Sequence, residues 1–238
     1  QATRAHAQAE LAKAAIPPAA PPYSPWRLAL KGKPALQKLD AFTRGAIEVQ
    51  DEGSQLLALL LDAHRGEMVA DFCAGAGGKT LAIGATMRNT GRLYAFDVSA
   101  HWLAALKPRL ARSGLSNVHP VAIAHERDER IKRLAGKMDR VLVDAPCSGL
   151  GTLRRNPDLK WRQSPKDVAE LNAKQLAILS SAARLVKPGG RLVYATCSIL
   201  QSENEDVAAA FGAAHPDFEP LNAAQLLAAL KVEGAEAL

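Results

Sequence analysis

Cysteine is scarce: Cys73, Cys147 and Cys197 are the only three in 238 residues. An odd count without Cys-x-x-Cys spacing argues against a disulfide scaffold and against a zinc site, so no metal is expected. Free thiols fit a reducing, cytoplasmic setting. Long apolar runs are also missing. The longest lies near Leu56–Leu61, far short of the roughly 18 residues of a membrane span. The Ala-rich start is interrupted by Arg4, His6, Gln8, Glu10 and Lys13, so it has no signal-peptide apolar block. Aromatic residues make up only 5%, and no internal repeat is visible.

What remains is ordinary globular composition, 48% hydrophobic and 23% charged. That supports one large domain, or one domain with a small appendage, and a single chain acting as a monomer. Charge is unevenly spread. Residues 201–238 hold seven acids against Lys231 alone, so the first 200 residues carry twice the chain's net +6. A basic body points to a polyanion partner, nucleic acid first.

Residues 1–25 combine a short helix at about 2–14 with a Pro-rich linker (Pro17, Pro18, Pro21, Pro22, Pro25). Residues 26–50 are expected to form a small β-like appendage, and 54–64 a buried helix. From Glu67 onward short apolar strands alternate with helices. Strands are expected at 67–72, 92–96, 118–123, 140–143 and 191–195. Helices are expected at 79–87, 100–113, 127–135, 165–186 and 204–214, with Pro188-Gly189-Gly190 as a turn. Such alternation predicts an α/β fold, a doubly wound, mainly parallel sheet covered on both faces.

Ligands of such sheets bind beyond the carboxyl ends of the strands. Each cysteine falls just past one: Cys73 after the first, Cys147 after the fourth, Cys197 after the fifth. The first loop, Cys73-Ala74-Gly75-Ala76-Gly77-Gly78-Lys79-Thr80, lets backbone approach a ligand and opens a helix N-terminus. It misses G-x-G-x-x-G at Thr80 and G-x-x-x-x-G-K-[ST] at Cys73. A P-loop NTPase with Asp144 on a metal therefore stays open as an alternative. Asp97, at the end of the second strand, instead suits a ribose diol. Beyond the fourth strand, residues 152–166 carry five bases and one acid with Trp161 among them. Arg154, Arg155, Lys160 and Arg162 suit phosphates and Trp161 suits base stacking, as single-stranded nucleic acid requires.

Taken together, DFCAGAGGKT (71–80), DAPCSG (144–149), RRNPDLKW (154–161) and ATCSI with the following ENE (195–199, 203–205) resemble the RNA cytosine-C5 methyltransferases, the bacterial rRNA enzymes of Nop2/Sun type. VQDEGSQL (49–56) resembles the segment leading into their catalytic domain. The resemblance runs from about residue 24 to 210. It implies a class I methyltransferase fold, S-adenosylmethionine as cofactor, and RNA, rRNA rather than tRNA, as substrate. It places the donor site at 73–79 and Asp97, with Asp128 near the adenine and Asp144 near both donor and base. It makes Cys197 the nucleophile that adds to C6 of the cytosine and Cys147 the cysteine of product release. Lys79 is expected to position the base or to lower a nearby thiol's pKa.

The sequence departs from this family at Gly75-Ala76, where Ala-Pro is usual, and at Trp102, where arginine is common. No sixth or seventh strand is legible after 195, so the C-terminal hairpin of the family's sheet reads as incomplete. Residues 1–50 read as an N-terminal extension with part of an RNA-binding appendage, and 51–238 as the methyltransferase domain. A non-catalytic RNA-binding relative is the remaining alternative.

Overall fold

Five parallel strands form the centre of the computed structural model, which describes residues 3–19, 23–32 and 34–235. The Pro21 and Pro22 part of the expected linker and the Ala2 end of the expected first helix lie outside these residues. The strands are β1 (Met68–Asp71), β2 (Arg92–Asp97), β3 (Val118–Ala122), β4 (Met138–Asp144) and β5 (Val186–Ala195), in spatial order β3-β2-β1-β4-β5. The chain winds outward from β1 through β2 to β3. It then crosses back to lay β4 on the other side of β1. The switch point, where such sheets bind ligands, lies between β1 and β4.

Strand periodicity divides the core. Val69, Leu93, Ala95 and Leu142 face one layer, where helices α3 (Glu52–Leu61), α4 (Gly78–Thr86) and α5 (Ala100–Ser113) contribute Leu61, Ile83, Leu103 and Leu106, with Met87 just past α4. Their alternating neighbours Ala70, Phe96, Val141 and Val143 face the other layer. There α6 (Glu129–Lys132), α8 (Pro165–Ala183) and α9 (Glu205–Ala214) contribute Ile131, Ile178, Leu179, Val207 and Phe211. Residues that alternate along a strand point to opposite faces, so a central strand with both faces covered reads as a continuous apolar run. Helix α8 starts where its sequence says it should. Ser164 and Asp167 form a reciprocal capping box with Pro165 in the first turn, an arrangement that satisfies amides the helix leaves free.

Three expectations are corrected. Residues 26–50 form no strand among those described. They hold a 3-10 turn at Leu36–Lys38, the one-turn helix α2 (Asp40–Thr43) and a lone bridge between Ala19 and Ala29. Short apolar stretches split by Gly and Pro lacked the partner strands a sheet needs. The helix expected over 127–135 is a single turn, α6, capped by Asp128. Pro188-Gly189-Gly190 is a bulge inside β5 rather than a turn before it. Val186 pairs with Met138 and Arg191 with Arg140, so residues 187–190 face Asp139 alone.

The N-terminal helix α1 (Arg4–Lys13) buries Ala7 and Leu11 and ties to residue 44 through an Arg44–Glu10 pair. The segment after it is pinned to the start of α3. The amides of Tyr23 and Ser24 donate to Glu52 Oε1 at 3.1 and 2.9 Å, and Ser24 Oγ donates to Gln55 Oε1 at 2.7 Å. The far end of the chain packs on the same helix. Leu227 of α10 (Ala223–Ala229), with Val232 and Ala235, meets Leu56 and Leu59. No strand follows Ala195 among the described residues, and no helix is long and apolar enough to cross a membrane.

Candidate active site

The loop after β1 is shaped by two glycines in left-handed backbone, Gly75 (φ +53°) and Gly77 (φ +81°). Gly77 caps α4, and a Cβ there would collide with Leu106. The amide of Gly75 donates to Asp97 Oδ2 at 2.8 Å and that of Ser99 to Asp97 Oδ1 at 2.7 Å. Asp97 therefore joins the loops after β1 and β2. A carboxylate accepts about four hydrogen bonds, so capacity remains for a diol. Gln50 Nε2 holds Gly78 O at 3.0 Å, and an Arg109 guanidinium N–H holds Ala76 O. Past β3, Asp128 accepts from the amides of Ala124 and Arg130, both at 2.9 Å, and these bonds lower its pKa. Cys73 sits at the mouth of the β1 loop, where burial pushes its thiol well up.

Asp71, at the end of β1, is buried and receives only Thr80 Oγ1, at 2.6 Å. Burial raises its pKa to about 7, and its Oδ1 has no hydrogen-bond partner among the described residues. In the sequence Asp71 is only the first residue of the 71–80 motif. Its only local signal was an acid inside an apolar strand.

Strands β4 and β5 end side by side, with Asp144 in register with Ala195. The loops that follow bring Cys147 Sγ to 3.2 Å from Cys197 Sγ. Cys197 is exposed and Cys147 partly buried. The contact between the two sulfurs lowers Cys197 to about 7, and the same contact, aided by burial, raises Cys147. The contact thus favours charge on Cys197 over charge on Cys147. Lys79 Nζ donates to Asp144 Oδ2 at 2.5 Å, a pair only partly exposed. That contact closes the gap between the β1 and β4 loops.

Glu203 holds the two cysteine loops together. It is fully buried and accepts from the Ser148 amide at 2.8 Å, from Ser148 Oγ, and from Gln175 Nε2 at 3.0 Å. Gln175 Nε2 also donates to Pro146 O at 3.0 Å, and Ser148 Oγ lies 3.1 Å from Ser198 Oγ. Burial works against the carboxylate, yet hydrogen bonds from Ser148, Ser198 and Gln175 outweigh it and hold the Glu203 pKa down. Asn204 donates to Ser198 O and Leu200 O at 3.1 and 2.9 Å and accepts from Thr196 Oγ1 at 2.6 Å. Gly151 N donates to Cys197 O at 2.9 Å, and a Cβ on Gly151 would stand 2.6 Å from that oxygen. The sequence offered Glu203 and Asn204 only as part of a motif; Gln175 and Gly151 carried no readable signal.

The basic loop after β4 holds a 3-10 turn at Leu150–Thr152 and the one-turn helix α7 (Leu159–Arg162). Trp161 is 81% exposed, so it anchors no packing. The Lys160 ammonium lies 4.8 Å from its ring centroid. Arg155 pairs with Asp51 and Arg162 with Asp158, both at 2.5 Å, and Arg154 is exposed. Trp102 is half exposed in the first turn of α5, and nothing in the structure explains it.

The doubly wound parallel sheet, with a glycine loop after β1 and an acid closing β2, is a Rossmann-like fold, and its solved relatives make it that of the class I methyltransferases. The sequence model described as "16S rRNA methyltransferase RsmB/F" matches residues 58–234. The chain belongs to that family. A Bacillus subtilis relative, "Probable ribosomal RNA small subunit methyltransferase B", is 43% identical over 180 residues, covering 75% of this chain and 40% of that one. The crystal structure of PH0851 superposes with a TM-score of 0.87 at 38% identity, over 93% of this chain and 50% of that one. NSun6 from Pyrococcus horikoshii, solved with SFG, an S-adenosylmethionine analogue, gives 0.67 at 30% identity, over 77% and 48%. The chain spans less than half the length of the curated relatives it matches. S-adenosylmethionine is the cofactor of the class. The open left-handed backbone at Gly75 and the unused acceptor capacity of Asp97 fit it.

Proposed function

We propose that this protein transfers a methyl group from S-adenosylmethionine to C5 of a cytosine in RNA, rRNA rather than tRNA. We place it in the cytoplasm as a monomer, with residues 51–238 as the methyltransferase domain. The observation that carries this reading is the pair Cys147–Cys197 beside Lys79–Asp144. The cofactor supplies an electrophilic methyl. Residues 73–79, Asp97, Asp128 and Asp144 hold it, with Asp97 on the ribose and Asp128 near the adenine.

C5 of cytosine is a weak nucleophile until C6 is attacked. The Cys197 thiolate adds to C6, forming the S–C6 bond and moving the C5–C6 electron pair onto C5, which then takes the methyl group. Charge that develops on the ring at N3 is met by the Lys79 ammonium, which its hydrogen bond to Asp144 positions. The C5 proton must then leave so that its electron pair re-forms C5–C6 and expels the Cys197 thiolate. Cys147 suits this second task. Its thiol is held protonated chiefly by the Cys197 thiolate. Once Cys197 is carbon-bonded that part of the hold is gone, burial alone still opposes the charge, and Cys147, whose sulfur lies 3.2 Å from Cys197 Sγ, is the group placed to accept the C5 proton. The base must be unstacked to be reached from C6, so single-stranded or flipped RNA is the substrate. Arg154, Arg155, Lys160 and Arg162 contact its phosphates, and Trp161 stacks on a base.

The test is transfer of a tritiated methyl group from S-adenosylmethionine to rRNA, with the product nucleoside identified. Labelled 5-methylcytidine supports the reading. RNA binding without transfer would instead make the chain a non-catalytic relative.

A further inference from the structure

Methyl transfer uses the two site cysteines one after the other, but their nearness allows a second chemistry. Cys147 Sγ and Cys197 Sγ lie 3.2 Å apart. A disulfide spans about 2 Å, so a closing movement of roughly 1 Å joins them. The loops that carry them are tied together by groups other than the sulfurs. Gly151 N donates to Cys197 O at 2.9 Å, Ser148 Oγ lies 3.1 Å from Ser198 Oγ, and Glu203 accepts from the Ser148 amide at 2.8 Å. The approach of the two sulfurs is therefore built into the site. Cys197 is exposed and Cys147 only partly so, so a small oxidant meets Cys197 first. Charge on Cys197 is favoured by Cys147 and Lys79 and opposed by burial and Asp144, which leaves its pKa at about 7. That charge also acts on the Arg155 guanidinium. The thiolate is the form a peroxide oxidises, and a second thiol in contact is what lets such a cysteine be recovered. Cys73 lacks both advantages, because burial pushes its thiol well up.

We propose that Cys147 and Cys197 are a site of reversible oxidation, at which hydrogen peroxide joins them in a disulfide, Cys197 being the sulfur oxidised and Cys147 the one that resolves it. The Cys197 thiolate attacks one peroxide oxygen and the O–O bond breaks. Sulfur gives up two electrons and becomes a sulfenic acid, and the departing hydroxide takes a proton to become water. The Cys147 sulfur then displaces the sulfenic hydroxyl, which leaves as a second water with the Cys147 proton. Two thiols and one peroxide thus give one disulfide and two waters. Resolution by Cys147 stops Cys197 short of the sulfinic acid, which a thiol reductant does not reverse. The link itself needs only the two sulfurs. Its consequence, that the nucleophile is out of use until a dithiol reduces it, rests on the catalytic reading above.

The test uses the 238-residue protein, reduced with dithiothreitol, desalted and exposed to a small excess of hydrogen peroxide. It is then digested at acid pH and mapped by mass spectrometry without reduction. A peptide pair joined through Cys147 and Cys197 is expected, together with loss of iodoacetamide labelling at Cys197, and dithiothreitol should reverse both. Cys73→Ser should form the same link. Cys147→Ser should form none, and its Cys197 should advance to a sulfinic acid that dithiothreitol does not restore. Sulfinic acid at Cys197 forming as readily in the wild type as in Cys147→Ser, a link through Cys73, or a link only between two chains would overturn the proposal. A link that forms in a protein which, once reduced, transfers no methyl group to RNA would support the proposal and overturn the catalytic reading.

Discussion

Cys147 and Cys197 stand 50 positions apart in the chain, yet their sulfurs lie 3.2 Å apart. The contact makes them unequal, because it lowers the pKa of Cys197 and raises that of Cys147. The Cys197 pKa of about 7 sets the pH at which it reacts. Alkylation by iodoacetamide, mapped by mass spectrometry, should label Cys197 first, with a rate that rises through about pH 7 and then levels. Cys197→Ser should abolish any RNA adduct. Cys147→Ser should leave a covalent RNA–protein band on denaturing gels. The band appearing in Cys197→Ser instead would exchange the two roles.

Asp97 joins two loops and is the residue proposed to hold the donor's ribose. Asp97→Ala should weaken S-adenosylmethionine binding by about 1–3 kcal/mol, the worth of hydrogen bonds to a charged group. Titration calorimetry measures it directly, and an unchanged affinity would remove the ribose from this carboxylate.

Glu203 is the shared acceptor of both cysteine loops. Glu203→Ala leaves the Ser148 amide and Gln175 without a partner, at a cost of roughly 2–4 kcal/mol in urea unfolding. The loops should then separate, and the alkylation profile of Cys197 should move to higher pH as the Cys147 donor is lost. Glu203→Gln, which still accepts from Ser148, should move that profile less. A stability loss with the profile unmoved would make Glu203 structural only.

Asp71 gives a prediction for stability against pH. Its folded pKa of about 7 exceeds the ordinary 3.8, so the folded protein binds the proton more tightly than the unfolded chain. The resulting stabilisation is complete below about pH 4 and is lost as pH rises through about 7. Asp71→Asn removes the titration. The difference in unfolding free energy between wild type and variant should therefore shift against the wild type between pH 4 and 8. A difference constant over that range would exclude a raised pKa.

RNA binding should fall with salt, because phosphate contacts release counterions. Replacing Arg154, Arg155 and Lys160 with alanine should flatten the plot of log affinity against log salt. Arg155 already pairs with Asp51, so its share should be the smallest of the three. A slope equal to the wild type's would take this loop out of the interface.

Much of this architecture was legible in one dimension. Strand and helix periods differ, so the alternation from Met68 to Ala195 marked the sheet. Its carboxyl ends then put Cys73, Asp97, Cys147 and Cys197 on one edge before any coordinate was known. Capping was local as well, and Ser164-Pro165 fixed the start of α8. Residues 26–50 were misread as β-like because an isolated apolar stretch has no period to distinguish it. The bulge at 187–190 was hidden because register depends on the partner strand. How close the two sulfurs lie, which loops Glu203 clamps, and how Lys79 meets Asp144 were settled only in three dimensions. Each is a contact between segments distant in sequence, decided by the order in which β1, β4 and β5 lie and by the burial that order imposes. The chain specifies locally which groups stand at the strand ends; only the packed sheet decides which of them touch, and with what charge.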